Sequence, residues 1–384
     1  MPHQNTVCHA LLKAIPRWRF ERLVEEHRGG YRDRRLSFWG QFVALVYAQL
    51  SGAQSLRELE TSLGSHRNLF YHLGLQKDVR RSTLSDANRD RPASLLAAVF
   101  ELLLLQLSGS QRSQARELVR LIDATSLPLN DALCGWAHFS TGYAAAKLHL
   151  VYDPKAASPT YFSITPARVN DIVEARKMPI EPGATYVFDK AYYDFGWWAE
   201  LAEAGCRFVT RIKKNSPARL VHDLPVSDET IQSDRVVQLN QRLARSRKNP
   251  LQGHLREVTV ALDNGTCVQV LTNDLTASAS EIADLYKTRW QIELFFKWIK
   301  QNLRIKKFLG TSENAIKLQI IAALIAFLLL RISHKAILTT VSLQHFTRLV
   351  RANLLHRKSI CELLHPPPPK LQPSNQLSME LLGA

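Results

Sequence analysis

Tyr286-Lys287-Thr288-Arg289-Trp290-Gln291-Ile292-Glu293, running on through Lys300 to Leu303, carries the periodicity of a helix. At about 100° per residue, Tyr286, Arg289, Glu293 and Lys300 fall at about 0°, −60°, −20° and −40°, so one helix would present all four along a narrow stripe. Leu285, Ile292, Phe295, Phe296, Ile299 and Leu303 fill the arc from about −80° round to 180°, which predicts a buried face with the stripe at its edge. A carboxylate at the rim of a core, flanked on one stripe by Arg and Lys, suits a metal site next to a phosphate. A surface helix with solvated Glu and Lys side chains has the same pattern.

Charge outside this stretch points to a polyanionic partner. The chain of 384 residues has 50 Lys and Arg against 34 Asp and Glu, a formal charge of +16, which favours nucleic acid or an anionic membrane surface. Residues 1–120 hold 18 basic against 11 acidic side chains, and residues 285–370 hold 15 against 3, whereas residues 121–205 hold 6 against 10. A mildly acidic middle between two basic flanks is the layout of a divalent-metal site between nucleic-acid-binding surfaces. The length allows two or three cores. The 5 cysteines are scattered and odd in number, without zinc-ligand spacing, as in a reduced cytoplasmic protein. The first residues lack a signal-peptide layout. The most apolar run, 318–330, contains Gln319 and is too short to cross a bilayer, so a buried core helix is expected and no membrane partner.

Upstream, residues 1 to about 110 read as helical. A helix over 38–50, broken at Ser51-Gly52, is followed by one opening at Ser55 with Glu58 as capping-box partner, a pair that could form a helix-turn-helix. Residues 80–91, with Arg80, Arg81, Ser82, Thr83, Ser85 and Arg89, read as a basic, hydroxyl-rich connector able to contact phosphates. It leads to an apolar helix over 95–107. Residues 118–123 then form a β-branched run ending in Asp123, residues 147–152 and 160–165 read as strands, 170–178 as a helix, and 185–189 as a strand ending in Asp189. Residues 206–212 read as a strand, and 255–262 and 266–272 flank Asp263-Asn264-Gly265, a hairpin signal. A mostly β insertion over about 212–275 is therefore expected. Residues 311–360 look helical, and Pro366 to Pro369 end regular structure.

The spacing Tyr286-x2-Arg289-x3-Glu293-x6-Lys300 resembles the signature of DDE-type bacterial insertion-sequence transposases of the Tyr-Arg-Glu-Lys group. The resemblance continues through Arg304, Lys306 and Lys307 to Gly310, covers most of the chain, and is strongest over 118–310. Strand, strand, strand, helix, strand, then the Glu293 helix, is the order of a ribonuclease-H-like α/β domain, in which the first and fourth strands lie side by side and would bring Asp123 and Asp189 together. Many members of the group carry an insertion between the second and third acids.

The resemblance implies an α/β protein: a helical DNA-binding domain over 1–112, an RNase H-like catalytic domain over 113–310 with the β insertion, a basic helical C-terminal region over 311–365, and a disordered tail over 366–384. It implies Asp123, Asp189 and Glu293 as catalytic acids holding two magnesium or manganese ions, with Asp123 bridging both. Arg289 would grip a phosphate bidentately and Lys300 as a point charge, and the Tyr286 hydroxyl would donate to a phosphate oxygen. Arg304, Lys306, Lys307, Arg80 and Arg81 would add DNA contacts. Trp197, Trp290 and Trp298 are candidates for stacking on a displaced base. Asp131, Asp153 and Asp194 compete for the acid positions, but Asp131 and Asp153 lie in turn-like sequence. The implied partners are double-stranded DNA, as terminal inverted repeats and target, and a second copy of the chain; the location is the bacterial cytoplasm, at the nucleoid. A ribonuclease-H-like nuclease without strand transfer and a non-catalytic DNA-binding regulator are the rival readings.

Overall fold

The run from Val119 to Leu129, rich in β-branched and apolar residues, is the strand beside which the site is built. The computed structural model describes residues 5–28, 35–109, 118–129, 134–140, 143–213, 216, 218–226, 228–241, 248–261, 265–303, 305, 307–337 and 339–364. In chain order the strands are β1 (Val119–Leu129), β2 (His138–Ser140), β3 (Tyr143–Asp153), β4 (Ser158–Pro166) and β5 (Thr185–Phe188). They continue with β6 (Arg207–Arg211), β7 (Ala218–Asp223), β8 (Ile231–Leu239), β9 (His254–Ala261) and β10 (Cys267–Thr272). Ahead of them come helices α1 (Val7–Leu12), α2 (Arg17–His27), α3 (Phe38–Ser51), α4 (Leu56–Gly64), α5 (Phe70–Leu73), α6 (Arg81–Asp90) and α7 (Ser94–Gly109). Within and after the sheet follow α8 (Asp171–Ala175), α9 (Phe195–Glu203), α10 (Ala279–Thr288), α11 (Trp290–Asn302), α12 (Glu313–Ala336), α13 (Leu343–Asn353) and α14 (Ile360–Leu364).

The strands form one sheet in the order β2-β3-β1-β5-β6-β10-β9-β8-β7, with β4 paired to β3. β1 is antiparallel to β3 and parallel to β5, and β5 is parallel to β6. The expected adjacency of the first and fourth long strands is thus present as the β1–β5 pair. The later strands do not form a sheet of their own: β10 pairs antiparallel with β6 and carries β9, β8 and β7 outward. The β9–β10 hairpin lies where its turn signal predicted, although residues 262–264 fall outside the described set.

The two faces of the sheet are covered differently. Ile122, Val151, Tyr186, Phe188 and Phe208 pack on one side with Trp197 and Trp198 of α9. Leu121, Leu148, Leu150 and Tyr152 face the opposite way, into a core with Phe295, Phe296 and Ile299 of α11 and with α12. β-Strand alternation places Asp123 and Thr125 on this second face, the same as Leu121.

α12 organises the helical part. Every residue from Ala315 to Leu330 except Lys317 is buried, and the helix packs on α1, α3, α6, α7 and α13. Helices from both ends of the chain therefore share one core. α12 is long and apolar enough to cross a bilayer, yet it is a core helix, as expected for 318–330. Its polar residue has a structural use: the Gln319 amide accepts from Leu309 N at 2.7 Å and donates to Lys307 O at 2.9 Å, pinning the segment that follows α11.

Three local expectations change. Residues 81–90 form helix α6 instead of a connector, because Leu84, Ala87 and Asn88 recur at helical spacing and are buried. The Ser55 hydroxyl accepts from Glu58 N at 3.1 Å as an N-cap should, but the Glu58 carboxylate reaches back to Gln54 N at 2.8 Å instead of Ser55 N. The helix projected over 286–303 is two helices, α10 and α11, meeting at Arg289. There the backbone tightens to i→i−3 bonds, Arg289 N to Tyr286 O and Ile292 N to Arg289 O, while the Thr288 hydroxyl takes Leu285 O at 2.6 Å.

Candidate active site

Register brings the first two acids together. On the parallel strands β1 and β5, Ile122 lies opposite Phe188 as the last pair, so the next residues are Asp123 and Asp189. On β6, Thr210 lies opposite Phe188, and the next residue is Arg211. Asp123, Asp189 and Arg211 thus stand in a row across three neighbouring strands, at their C-terminal side. Asp123 is not at a strand end, as the sequence suggested, because β1 runs on to Leu129 paired with β3 alone. It sits where the neighbour β5 stops, which leaves the flank beyond Asp123 open. Asp189 follows β5 directly and accepts from Ala191 N at 2.7 Å, capping a short 3-10 turn.

α11 packs on β1 and supplies the third acid. Glu293, in the first turn of α11, forms an ion pair with Arg289 at 2.6 Å. Ile292, Phe295, Phe296 and Ile299 bury the apolar face of the helix, so Glu293 and Lys300 lie at its edge as the periodicity predicted. Lys300 donates to the Thr125 hydroxyl at 2.5 Å, two residues along β1 from Asp123.

The electrostatics couple these groups. The Asp123 carboxyl is pushed up to about 6, first by burial and then by the negative charges of Asp189 and Glu293; its bond from Ala124 N at 2.8 Å and the Arg289 guanidinium oppose the rise. Burial works against the charge on Arg289, but Tyr286, Glu293 and Asp123 hold its pKa above the ordinary value. Burial raises the Tyr286 phenol, against the pull of Arg289 and Arg211. Arg289 lies 5.6 Å from the Tyr286 ring centroid, and neither the buried Tyr286 hydroxyl nor Arg289 Nε makes a well-formed hydrogen bond. Buried polar atoms on neighbouring residues without well-formed hydrogen bonds are what a phosphate oxygen would satisfy.

The competing acids have other employment. Asp153 pairs with Arg120 at 3.0 Å and accepts from two turn N–H groups. Asp194 caps α9 and pairs with Arg176 at 2.6 Å. Asp131, Arg304 and Lys306 lie outside the described residues. Arg80 and Arg81 are exposed at the start of α6, and Lys307 is exposed with its amine 3.4 Å from the Gln54 carboxamide. Trp197 is buried and Trp298 packs edge-on against Phe327, whereas Trp290 is 57 % exposed beside Arg289.

Thr125 and Arg211 were missed in the sequence. Thr125 follows Asp123 by two residues and so shares its face, a signal available from strand alternation. Arg211 could have been found by extending the strand at 206–212 to the level of Asp189.

The donor set, carboxylate oxygens only, suits a hard divalent cation, and a buried carboxyl raised to about 6, with two acidic neighbours adding to the rise, is short of positive charge. Among the described residues no group of three or more His, Cys, Asp or Glu side chains is drawn into ligating range of one point, and Glu293 is turned to Arg289.

Known proteins resemble the chain over much of its length. The family profile described as "Transposase DDE domain" matches residues 114–329, and one described as "Domain of unknown function (DUF4372)" matches residues 3–76. The protein y4zB of Sinorhizobium fredii, named as a transposase, is 43 % identical over 74 % of this chain and 80 % of its own length. A Geobacillus stearothermophilus protein named as transposase for insertion sequence element IS5377 is 29 % identical over 65 % of this chain and 66 % of its own. One of Synechocystis, named for insertion sequence element IS4SA, is 24 % identical over 71 % of this chain and 78 % of its own.

Proposed function

The chain belongs to the DDE transposase family, as an insertion-sequence transposase, and from that premise we propose that Asp123, Asp189 and Glu293 are its catalytic acids on an RNase H-like core of the Tyr-Arg-Glu-Lys group. The observation that carries the assignment is the β1–β5 register, which sets Asp123 and Asp189 at one level beneath the helix that bears Glu293. The family implies divalent-metal use, and two magnesium or manganese ions held by these carboxylates would activate the attacking oxygen and stabilise the leaving one.

The chain's own residues do the rest. Arg289, now paired with Glu293, carries a planar guanidinium able to turn from carboxylate to phosphate, and the open Tyr286 hydroxyl beside it donates to the same group. Lys300, held along β1 by Thr125, adds a point charge on the same side. Arg211 adds a cation at the level of Asp189. Together they hold a scissile phosphate against the acids and offset its charge, the largest obstacle to attack on a phosphodiester. The substrates are the terminal inverted repeats of the element, cleaved at each end, and the target DNA that receives the freed 3′-hydroxyl. Concerted processing of two ends calls for a homodimer. The protein acts in the cytoplasm, at the nucleoid.

The test is magnesium-dependent cleavage of a duplex carrying the element's own end, by the wild-type protein and by Glu293→Gln. Cleavage and end-joining by the wild type alone support the reading. Equal cleavage by both removes Glu293 from the site, and binding without cleavage by either replaces the enzyme with a regulator.

A further inference from the structure

α10 lies across the sheet, packed on β5 and β6 as well as on β8, β9 and β10. Ile282, fully buried, sits in the core that also takes Ile231, Val258 and Val270 of the outer strands. The helix ends at Tyr286 and Arg289, and the field of Arg211 on β6 reaches the Tyr286 phenol there. Its start is held from β9, so one helix runs from the outer strands to the acids.

An ion pair buried on β8 and β9 takes hold of that start. The β8–β9 register sets Asp234 opposite Val258, and Arg256 shares the face of Val258 by strand alternation. Asp234 is 2 % and Arg256 7 % exposed. Arg256 Nε and Nη2 donate to the two carboxylate oxygens of Asp234 at 2.8 and 2.6 Å, a bidentate fork. The remaining Nη1 donates to Ala277 O, one residue before Ser278, the N-cap of α10. The rest of the segment entering α10 is tied to β6. Asn273 bonds the backbone of Phe208 and Cys206 at 2.8 and 2.9 Å, and Asp274 pairs with Arg207 at 3.2 Å while accepting from Thr276 N and Ala277 N.

A buried pair of this kind adds little stability over apolar side chains of similar volume, because the cost of desolvating both charges offsets their attraction. What Arg256 supplies, and a Met or Leu would not, is a directed bond from β9 to the backbone that starts α10. At a rise of about 1.5 Å per residue, Ala277 and Arg289 lie about 8 and about 10 Å along the axis from Ile282. With Ile282 as pivot, a shift of about 1 Å at the start reaches Arg289 at about the same size, enough to cost up to about 100-fold in rate.

We propose that Asp234 and Arg256 are positioning residues for the phosphate grip: the pair fixes the start of α10 on β8 and β9 and thereby aims Tyr286 and Arg289 at the scissile phosphate. This rests on the reading of those two side chains given above. It gives the strands between Asp189 and Glu293 a part in the chemistry, as the floor of the helix that ends in the site.

The test uses the full chain. Removing Arg256 alone would strand a buried carboxylate, so the pair is replaced together, by Asp234→Leu/Arg256→Met. Its urea midpoint should stay near that of the wild type. Its affinity for a duplex carrying the element's own end, by fluorescence anisotropy in chelator, should fall about fivefold, and single-turnover cleavage in magnesium about tenfold. Arg256→Lys keeps a cation for Asp234 without the fork that also spans Ala277; it should do likewise, and carries the test if the double replacement does not fold. The deciding readout is a cycle with Tyr286→Phe/Arg289→Gln. In that background either replacement should cost less than about twofold in affinity, since its effect runs through side chains already removed. An equal loss in both backgrounds overturns the proposal and leaves the pair a part of the fold only, as does wild-type binding and cleavage by the folded variants. If Tyr286→Phe/Arg289→Gln itself binds and cuts the end like the wild type, the reading of those two residues falls, and the proposal with it.

Discussion

Tyr286 illustrates how a residue proposed for the site can be costly to its own fold. Its hydroxyl is buried beside Arg289 without a well-formed hydrogen bond, an arrangement that costs stability unless a ligand fills it. Tyr286→Phe should therefore leave stability unchanged or raise it by up to about 1 kcal/mol, while cleavage of an element end falls about tenfold; urea unfolding and the cleavage rate together check this. A merely structural tyrosine would move the first quantity and spare the second. His149 makes the opposite case, a titratable group with no part in the chemistry. It is fully buried on β3, where Nε2 bonds the Thr165 hydroxyl at 2.9 Å, and Nδ1 lies 3.7 Å from Asp171. Burial drives its pKa down to about 4, with Asp171 and Glu174 opposing and Lys147 and Lys177 assisting. Because the folded pKa lies below the unfolded value, its contribution is intact above about pH 6.5 and is lost as pH falls toward 4. Between pH 7 and pH 5 the loss should be about 2 kcal/mol, read by urea unfolding at both values, and His149→Gln should remove that part of the pH dependence.

At the scale of elements, the joint between α10 and α11 sets the orientation of the side chains proposed to bind phosphate. A continuous helix would have placed Tyr286 and Arg289 on one stripe with Glu293. The tightened turn at Arg289 instead makes this residue both the end of one helix and the start of the next, with its guanidinium between Tyr286 and Glu293. α12 plays the supporting part, since Gln319 holds two backbone groups of the segment after α11. Gln319→Leu keeps the side-chain size but leaves Leu309 N–H and Lys307 C=O without that partner. It should destabilise the protein by about 2 kcal/mol, measured by urea unfolding.

For the whole molecule, α12 ties both termini into one core by packing on α1, α3, α6 and α7. The N-terminal helices thus present to α12 an apolar surface that they cannot cover alone. A fragment of residues 1–112 should show no cooperative thermal transition by circular dichroism, because removing α12 exposes α3 and α7; a sharp transition in that fragment would overturn this account of the core.

Residue spacing alone marked out most of the residues proposed for the site. Tyr286, Arg289, Glu293 and Lys300 were legible because helix periodicity is local, and Asp123 and Asp189 because each follows a β-branched run. The hairpin at 263–265 and the buried helix at 318–330 were equally local signals. What the sequence could not supply was pairing between distant strands. That Asp123 lies inside a strand, beside the end of β5, depends on β1 gaining a longer neighbour in β3 than in β5. Arg211 enters the site only through the β5–β6 register, and β7 to β10 join the same sheet only through β10 meeting β6. Local propensity acts over a few residues, whereas register, sheet order and the meeting of both termini on α12 are chosen by burial of apolar surface across the whole chain.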